Sequence, residues 1–395
     1  METDTLQVQE LTPIDRYLAE QADLTAVGRF ARRHHPSAVP TPSRYYRDLV
    51  PLQRPGAGQQ YGFEVDLDAC TGCKACVTAC HNLNGLDAGE SWRTVGLVHG
   101  GSEAAPRPHT VTTGCHHCVD PACLKGCPVN AYEKDPVTGI VAHLDDQCIG
   151  CRYCVLTCPY EVPRYNAGLG IVRKCDLCAG RLAAGEAPAC VQSCPNAAIR
   201  VSLVDTASAM AAAASGPLLP GAPASTVTVP TTIYRSARPL DELAPSTAGT
   251  GSGRPGQAHP PLAVMLVLTQ LAVGTSVVDL AARALSPAAM VDELRPVTAA
   301  VALAVGVVAL ASSVCHLGRP AYAFRAVLGL RRSWLSREIV AFGAFAVLAA
   351  AHGWALLVDV ARPLEPVLAL LAALAGVVGV GCSALVYAVT GRAWW

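Results

Sequence analysis

Sixteen of the eighteen cysteines in this 395-residue chain lie between Cys70 and Cys194. They form four runs of four, and three of the runs are followed by proline. The first and third runs have the spacing Cys-x2-Cys-x2-Cys-x3-Cys, whereas four residues separate the second and third cysteines of the second run and eleven separate those of the fourth. The runs are Cys70, Cys73, Cys76 and Cys80; Cys115, Cys118, Cys123 and Cys127; Cys148, Cys151, Cys154 and Cys158; and Cys175, Cys178, Cys190 and Cys194. This spacing is typical of the thiolates that hold [4Fe–4S] clusters in bacterial ferredoxins, where the last cysteine of a run binds the other cluster of a pair. The four runs therefore predict four [4Fe–4S] clusters.

Two other uses of cysteine fit these runs less well. A disulfide framework is typical of short secreted chains, and no secretory signal is evident before the first run. Zinc ribbons use pairs of Cys-x2-Cys, whereas here a third and a fourth cysteine follow in register. The pattern therefore favours cubane clusters over both alternatives.

The order of the runs predicts how their cysteines combine. Strand-like segments alternate with the runs, which is the rhythm of ferredoxin repeats; they are Phe63–Leu67, Ile140–Leu144, Gly170–Arg173 and Ala198–Leu203. The second and third runs are nested between the first and fourth, so we expect the fourth cysteines to be exchanged within the inner pair and within the outer pair. The expected ligand sets are Cys70, Cys73, Cys76 and Cys194; Cys175, Cys178, Cys190 and Cys80; Cys115, Cys118, Cys123 and Cys158; and Cys148, Cys151, Cys154 and Cys127.

Charge and hydropathy favour a membrane rather than nucleic acid as a partner of the chain. Lys plus Arg and Asp plus Glu each number 30, so no net charge favours nucleic acid as a partner. Hydrophobic residues reach 51% and the mean hydropathy is +0.33, which is high for a soluble chain. Four apolar segments contain the excess of hydrophobic residues. The length of each is close to the roughly 20 residues that a helix needs to cross a bilayer. They are Leu262–Leu280, Val297–Val314, Ile339–Val358 and Val367–Val389.

These features divide the chain into four expected parts. Residues 1–60 form a polar N-terminal extension without the apolar run of a signal peptide. Residues 61–204 form an α+β domain of tandem bacterial ferredoxin-like repeats, and residues 262–395 an all-α transmembrane four-helix bundle. Residues 205–261, rich in Ala, Gly, Ser and Pro, have the composition of a flexible linker or docking arm.

Several segments resemble subunits of a known family. CTGCKACVTACHNLNG, CHHCVDPACLKGCPVNAY and CIGCRYCVLTCPYEVPRYN resemble the four-cluster iron–sulfur subunit of the DMSO reductase family of molybdopterin oxidoreductases. His316-Leu-Gly-Arg-Pro and Trp334-Leu-Ser-Arg-Glu338 resemble the membrane anchor subunit of the same family. The resemblance implies a fusion of the two subunits, which passes electrons between membrane quinol (menaquinol or ubiquinol) and a catalytic subunit bearing molybdenum bis-pterin.

The resemblance also implies a quinol site at His316 and Glu338. Independently of it, His316 ends the second apolar segment and Glu338 opens the third, so both lie on the membrane face of the cluster domain. Histidine is suited to accept a proton near neutral pH, and an ionisable residue at membrane depth is a functional candidate. The alternatives are an interfacial hydrogen-bonding histidine and a carboxylate that stabilises a helix start. His352 has no second histidine placed to share a haem, so no haem is expected.

The sequence also fits other functions, and its arginines predict an orientation in the membrane. The alternatives are the corresponding module of a membrane-bound hydrogenase or of an alternative complex III type quinol oxidoreductase, and a polyferredoxin sensor or scaffold. The loop between the second and third apolar segments carries five arginines; they are Arg319, Arg325, Arg331, Arg332 and Arg337. Because arginine excess in short loops marks the cytoplasmic side, we expect a bacterial inner-membrane protein whose cluster domain faces the cytoplasm.

Overall fold

The structure, a computed structural model, describes residues 12–14, 16, 46–102, 105–237, 244–245, 260–285 and 288–390. Most of the expected N-terminal extension and parts of the expected linker, 238–243 and 246–259, lie outside the described residues. The remaining chain forms a domain of short strands and helices followed by four long helices.

The elements follow one another in a simple order. The first domain contains β1 (Gln59–Asp66), α1 (Ala75–Leu83), β2 (Thr94–Ser102), β3 (Ala105–Thr113), α2 (Ala122–Gly126), β4 (Tyr132–Lys134), β5 (Val141–His143), α3 (Tyr153–Thr157), β6 (Arg164–Asn166), β7 (Ile171–Arg173), α4 (Ala179–Ala183), α5 (Ala189–Gln192) and β8 (Ile199–Asp205). The segment after it contains α6 (Thr206–Ser215), β9 (Ile233–Arg235) and β10 (Ala244–Pro245). The long helices are α7 (Pro260–Leu285), α8 (Ala288–Cys315), α9 (Trp334–Leu357) and α10 (Glu365–Ala388).

A three-stranded sheet joins the two ends of the cluster domain. β1 is its central strand, paired antiparallel with β8 and parallel with β9. Phe63 of β1 lies opposite Val201 of β8, and both are buried in a core that also holds Cys76, Cys175 and Cys190. The apolar faces of these strands therefore pack directly around cysteines of the first and fourth runs.

Each of the four predicted strand segments is a strand in the structure. Ile140–Leu144 contains β5, which pairs with β4, and Gly170–Arg173 contains β7, which pairs with β6. These two short hairpins bury Val141, Ile171 and Val172 in a second core around cysteines of the second and third runs. The long hairpin of β2 and β3 was not predicted, and it packs Val98 and Val111 against β1.

The start of the expected flexible linker is folded onto the cluster domain. Asp205 caps α6, since its carboxylate accepts a hydrogen bond from Ser208 N–H at 2.7 Å. Farther along, Thr231 Oγ1 donates to His116 O at 2.7 Å before β9 joins the sheet. The prediction of a flexible linker from composition is therefore wrong between residues 205 and 235, where the chain is folded.

The four long helices are apolar and long enough to cross a membrane. They confirm the predicted four-helix bundle, with α7 packed on α8 and α9 packed on α10. Phe342 and Phe345 of α9 lie in its core, where Gly379 and Gly376 of α10 leave room for the rings. The outward faces expose large apolar side chains, as Val347 does at 70%, which is the surface that lipid requires.

The loop between α8 and α9 docks on the cluster domain. Arg319 N–H donates to Ile149 O at 3.0 Å, and Gly329 N–H donates to Pro128 O at 2.7 Å. Ser333, the residue before α9, uses its hydroxyl on Gly126 O at 2.7 Å rather than on its own helix. These bonds fix the cluster-domain end of the bundle against the second and third cysteine runs.

Candidate functional site

The sixteen cysteines of the four runs gather around four separate places in the cluster domain. Three of these are cavities, each lined by four cysteines. Cavity 1 is lined by Cys70, Cys73, Cys76 and Cys194; cavity 2 by Cys175, Cys178, Cys190 and Cys80; and cavity 4 by Cys148, Cys151, Cys154 and Cys127. At the fourth place, the sulfur neighbours of Cys118 are Cys115, Cys158 and Cys123, and the space among these four is named cavity 3 to match the other three. The structure thus brings together the four combinations expected from the nesting of the runs.

A shared backbone turn shapes the start of every run. The residue two positions after the first cysteine has positive φ in each case: Gly72 at 70°, His117 at 41°, Gly150 at 70° and Leu177 at 58°. This conformation favours glycine, so its use by histidine and leucine indicates that the surroundings enforce it. The turn brings N–H groups to sulfur: Gly150 N–H donates to Cys148 Sγ, and Leu177 N–H donates to Cys175 Sγ, both at 3.4 Å. Hydrogen bonds of this kind stabilise the negative charge of a bound cluster.

The donor set fits a cluster better than a single ion. No three His, Cys, Asp or Glu side chains within the described ranges converge closely enough to hold one metal ion, as tetrahedral zinc would require. Burial raises the pKa of Cys80 to about 12 and that of Cys158 to about 11. Such thiols are protonated at neutral pH without metal, so binding of iron must release their protons.

Two histidines between Cys115 and Cys118 have hydrogen-bonding roles. His116 Nδ1 lies 2.7 Å from Thr232 Oγ1, and His117 Nδ1 accepts a bond from Val141 N–H at 3.1 Å. Burial lowers the pKa of His116 to about 3, and it lowers the pKa of His117 as well. Both rings are therefore neutral packing groups at physiological pH.

The four cavities form a row. Cys76 of cavity 1 is a neighbour of Cys190 of cavity 2, and Cys175 of cavity 2 is a neighbour of Cys115 of cavity 3. The buried ring of Tyr132 lies between cavity 3 and cavity 4, since its thiol neighbours are Cys154, Cys123 and Cys127. Cavity 4 ends the row beside the loop between α8 and α9, which donates to Ile149 O and Pro128 O.

Glu338 and His316 lie at the cluster-domain end of the bundle. Glu338 is buried in the second turn of α9, where Ser383 of α10 hydrogen-bonds its carboxyl group. Its Oε1 atom has no hydrogen-bond partner in the described part of the chain. His316 follows α8 directly, three residues before the Arg319 N–H that donates to Ile149 O. Both predicted residues therefore lie at the end of the bundle that adjoins cavity 4.

The structure adds to this site one residue of the cluster domain, Tyr153, that the sequence analysis did not single out. Tyr153 lies between Cys151 and Cys154, and its hydroxyl donates to Val386 O of α10 at 2.8 Å. Glu338 and Cys151 are both electrostatic neighbours of its phenol. The position of Tyr153 between two cysteines of the third run was visible in the sequence, but its contact with α10 was not.

A second ionisable cluster lies at the opposite end of the bundle. Arg283 forms ion pairs with Asp279 and Glu365, each at 2.6 Å. His352 Nε2 lies 2.8 Å from Glu365 Oε1, and Thr298 donates to Asp279 at 2.9 Å. The apolar core of the bundle, with Phe342 and Phe345, separates this cluster from Glu338.

Comparisons with known proteins match both parts of the chain. The family described as "4Fe-4S dicluster domain" matches residues 109–203, and the family described as "DMSO reductase anchor subunit (DmsC)" matches residues 254–395. The probable anaerobic dimethyl sulfoxide reductase subunit YnfG of Escherichia coli K12 is 42% identical over 144 residues, which are 34% of this chain and 70% of the relative. The B subunit of anaerobic dimethyl sulfoxide reductase from the same strain is 40% identical over 154 residues, 37% of this chain and 75% of the relative.

A relative from another type of complex matches the same region. "Hydrogenase-2 operon protein HybA" of Escherichia coli O157:H7 is 37% identical over 172 residues, 37% of this chain and 52% of the relative. The higher identity and coverage of the reductase subunits, together with the anchor match, decide between the two. This chain belongs to the DMSO reductase family, in which it is an iron–sulfur electron-transfer subunit fused to a membrane anchor.

Proposed function

We propose that each cavity holds one [4Fe–4S] cluster on its four cysteines, so that all sixteen cysteines are iron ligands. The observation that carries this proposal is the mixing of runs, because each cavity combines three cysteines of one run with the fourth of another. Paired ferredoxin clusters are held in this way. When bound, the clusters supply one-electron transfer.

Iron analysis tests the ligand assignment. Anaerobically purified protein should contain about sixteen iron and sixteen sulfide per chain, as four cubanes require. Cys151→Ser should remove or alter one cluster, whereas Cys315→Ala, an exposed cysteine outside the runs, should keep all four. Zinc at about four per chain, with little iron, would contradict the assignment.

We further propose that quinol is oxidised beside cavity 4, with His316 and Glu338 as proton acceptors. Oxidation of a quinol releases two protons and two electrons, so acceptors for both must lie close together. The buried Glu338 Oε1 atom has no hydrogen-bond partner among the described residues, which leaves it open to a ligand hydroxyl. Tyr153 and the loop between α8 and α9 join this site to cavity 4, which receives the electrons.

Substitutions of the two residues test the quinol site. His316→Arg and Glu338→Lys should abolish reduction of the clusters by quinol while leaving reduction by dithionite and the iron content unchanged. Cys315→Ala is the matched control, since this side chain is next to His316 and exposed on α8. Rapid quinol-dependent reduction in both charged variants would refute the proposed site.

The proposed partner is a catalytic subunit bearing molybdenum bis-pterin, bound at the cavity 1 end of the row. That end is remote from the anchor, and the cavity 1 cysteine Cys73 is exposed at the surface. The anchor is proposed to hold no haem, since His352 Nε2 is engaged with Glu365. A complex isolated from native membranes should contain molybdenum. A large subunit without molybdenum would favour the alternative, a hydrogenase complex like that of the HybA relative.

The proposed orientation places the cluster domain in the cytoplasm. The loop between α8 and α9 carries the arginine excess that marks the cytoplasmic side of short loops, and Arg331 and Arg332 of this loop are exposed. Reporter domains fused after Trp395 and within residues 281–295 would report opposite sides of the membrane. Activity of the C-terminal fusion only in the periplasm would reverse the assignment.

A further inference from the structure

Two cationic side chains are buried inside the row of cavities. Arg93 and Lys174 are each 3% exposed, and no other arginine or lysine of the described residues is as deeply buried. Such side chains are rarely buried without an anionic partner. No ion pair joins either of them to a carboxylate among the described residues. Among the described residues, the groups nearest to both cations are instead cysteines of the cavities.

Lys174 lies between cavity 2 and cavity 3. Its ammonium group donates to Val141 O and, at 2.8 Å, to Cys175 O, and lies 3.8 Å from Cys115 Sγ. Cys175 lines cavity 2, whereas Cys115 belongs to cavity 3.

Arg93 occupies the corresponding place between cavity 1 and cavity 2. Its Nη1 atom donates to Thr112 Oγ1 at 3.2 Å, and its guanidinium group lies 4.5 Å from the ring centroid of Phe63. Its electrostatic neighbours include Cys76 of cavity 1 and Cys190 of cavity 2. Successive cavities in the first three positions of the row are thus separated by one buried cation each.

A cluster with four thiolate ligands is negatively charged, and it becomes more negative when it accepts an electron. Two neighbouring clusters therefore repel each other when both are reduced. A buried positive charge between them lowers the energy of both reduced forms, because interactions are weakly screened away from water. Net charge around a cluster is one of the main determinants of its reduction potential.

We propose that Arg93 and Lys174 are junction cations, whose fixed charges allow adjacent clusters to hold the two electrons of one quinol at the same time. The inference rests on the proposed ligand assignment. Each cation acts on two clusters, Arg93 on those of cavities 1 and 2, and Lys174 on those of cavities 2 and 3. Neither side chain bonds to iron in this assignment, so each acts on the clusters only through its charge.

Redox titration followed by electron paramagnetic resonance tests the proposal on the full complex. Lys174→Met should lower the midpoint potentials of two of the four clusters, each by at least a tenfold change in the one-electron equilibrium constant, or about 59 mV. Lys174→Arg, which keeps the charge, should retain most of both potentials. The matched control is Lys125→Met, because this lysine lies between Cys123 and Cys127 but is exposed and paired with Asp120 at 2.5 Å.

Arg93→Gln provides the second arm of the experiment. It removes the charge while keeping an amide donor for Thr112, and it should lower the potentials of two clusters, of which one is also affected by Lys174→Met. If Lys174→Met loses iron, Arg93→Gln alone decides the outcome. If the variants retain all sixteen iron atoms and their potentials are unchanged, the proposal is wrong and the ligand assignment still holds. An equal shift in the potentials of all four clusters would have the same meaning. Fewer than four clusters in the unsubstituted protein would instead refute the ligand assignment.

Discussion

Substitution of Gly318 should separate the anchor from the cluster domain. Gly318 follows the helix end that carries His316, and it meets Gly170 and Gly150 where backbone touches backbone. A Cβ atom at Gly318 would lie 2.0 Å from Gly170 O and 2.6 Å from Gly170 C, whereas such contacts are essentially never shorter than 3.0 Å. The two segments must therefore move apart by about 1 Å, the difference between 3.0 and 2.0 Å.

The displacement has a calculable cost. The neighbouring bond from Arg319 N–H to Ile149 O, now 3.0 Å, would lengthen beyond hydrogen-bonding distance. Its loss contributes about 0.5–1.5 kcal/mol, and overpacking adds about 1–3 kcal/mol. We therefore expect Gly318→Ala to destabilise the docked state by about 1.5–4.5 kcal/mol and to slow electron transfer from the proposed quinol site into cavity 4.

Stopped-flow reduction of the clusters by quinol, together with thermal unfolding in detergent, measures both effects. Gly89→Ala is the matched control, since Gly89 is a loop glycine of the cluster domain with no atom within 4 Å of its added Cβ. Reduction by dithionite should stay normal in both variants, because the cavities themselves are unchanged. A Gly318→Ala protein with the stability and quinol-dependent rate of the unsubstituted protein would refute the packing argument.

Two further substitutions probe the two ends of the bundle. Ser333→Ala leaves the buried carbonyl of Gly126 without its 2.7 Å hydrogen bond, so the docked state should lose about 1–3 kcal/mol, measured as a lower unfolding temperature. Glu365→Gln removes one of the two carboxylates that pair with the buried guanidinium of Arg283. Breaking a buried pair costs about 3–5 kcal/mol, so thermal unfolding should occur at lower temperature, and an unchanged transition would show that Asp279 alone suffices.

The sequence predicted the parts of the fold that depend on regular spacing. The cysteine runs, the four strand segments and the four apolar helices all follow local patterns. The helices begin two to nine residues before the predicted segments and end within five residues of the predicted ends. The alanine-rich stretch of α6 was misread as a tether, although alanine has the highest helix propensity and Asp205 provides a cap. Composition alone does not distinguish a flexible linker from a short capped helix.

Contacts between residues far apart in the chain were not predicted from the sequence. Arg93 is separated from every cysteine run by at least a dozen residues, and only the hairpin of β2 and β3 brings it between cavities 1 and 2. The contact of Tyr153 with Val386 joins residues 233 positions apart. No periodicity or spacing encodes such contacts, because they arise from the packing of complete elements.

The nested combination of the cysteines has a consequence for biosynthesis. Cavities 3 and 4 use only cysteines from Cys115 to Cys158, so their proposed ligand sets are complete while the protein is still being synthesised. Cavities 1 and 2 must wait for Cys194 and Cys190, and β1 remains an unpaired edge until β8 emerges. Because domains fold as their residues leave the ribosome, we expect cavities 3 and 4 to assemble before cavities 1 and 2. All sixteen cysteines of the four runs precede α7, so every proposed iron ligand is synthesised before any of the anchor.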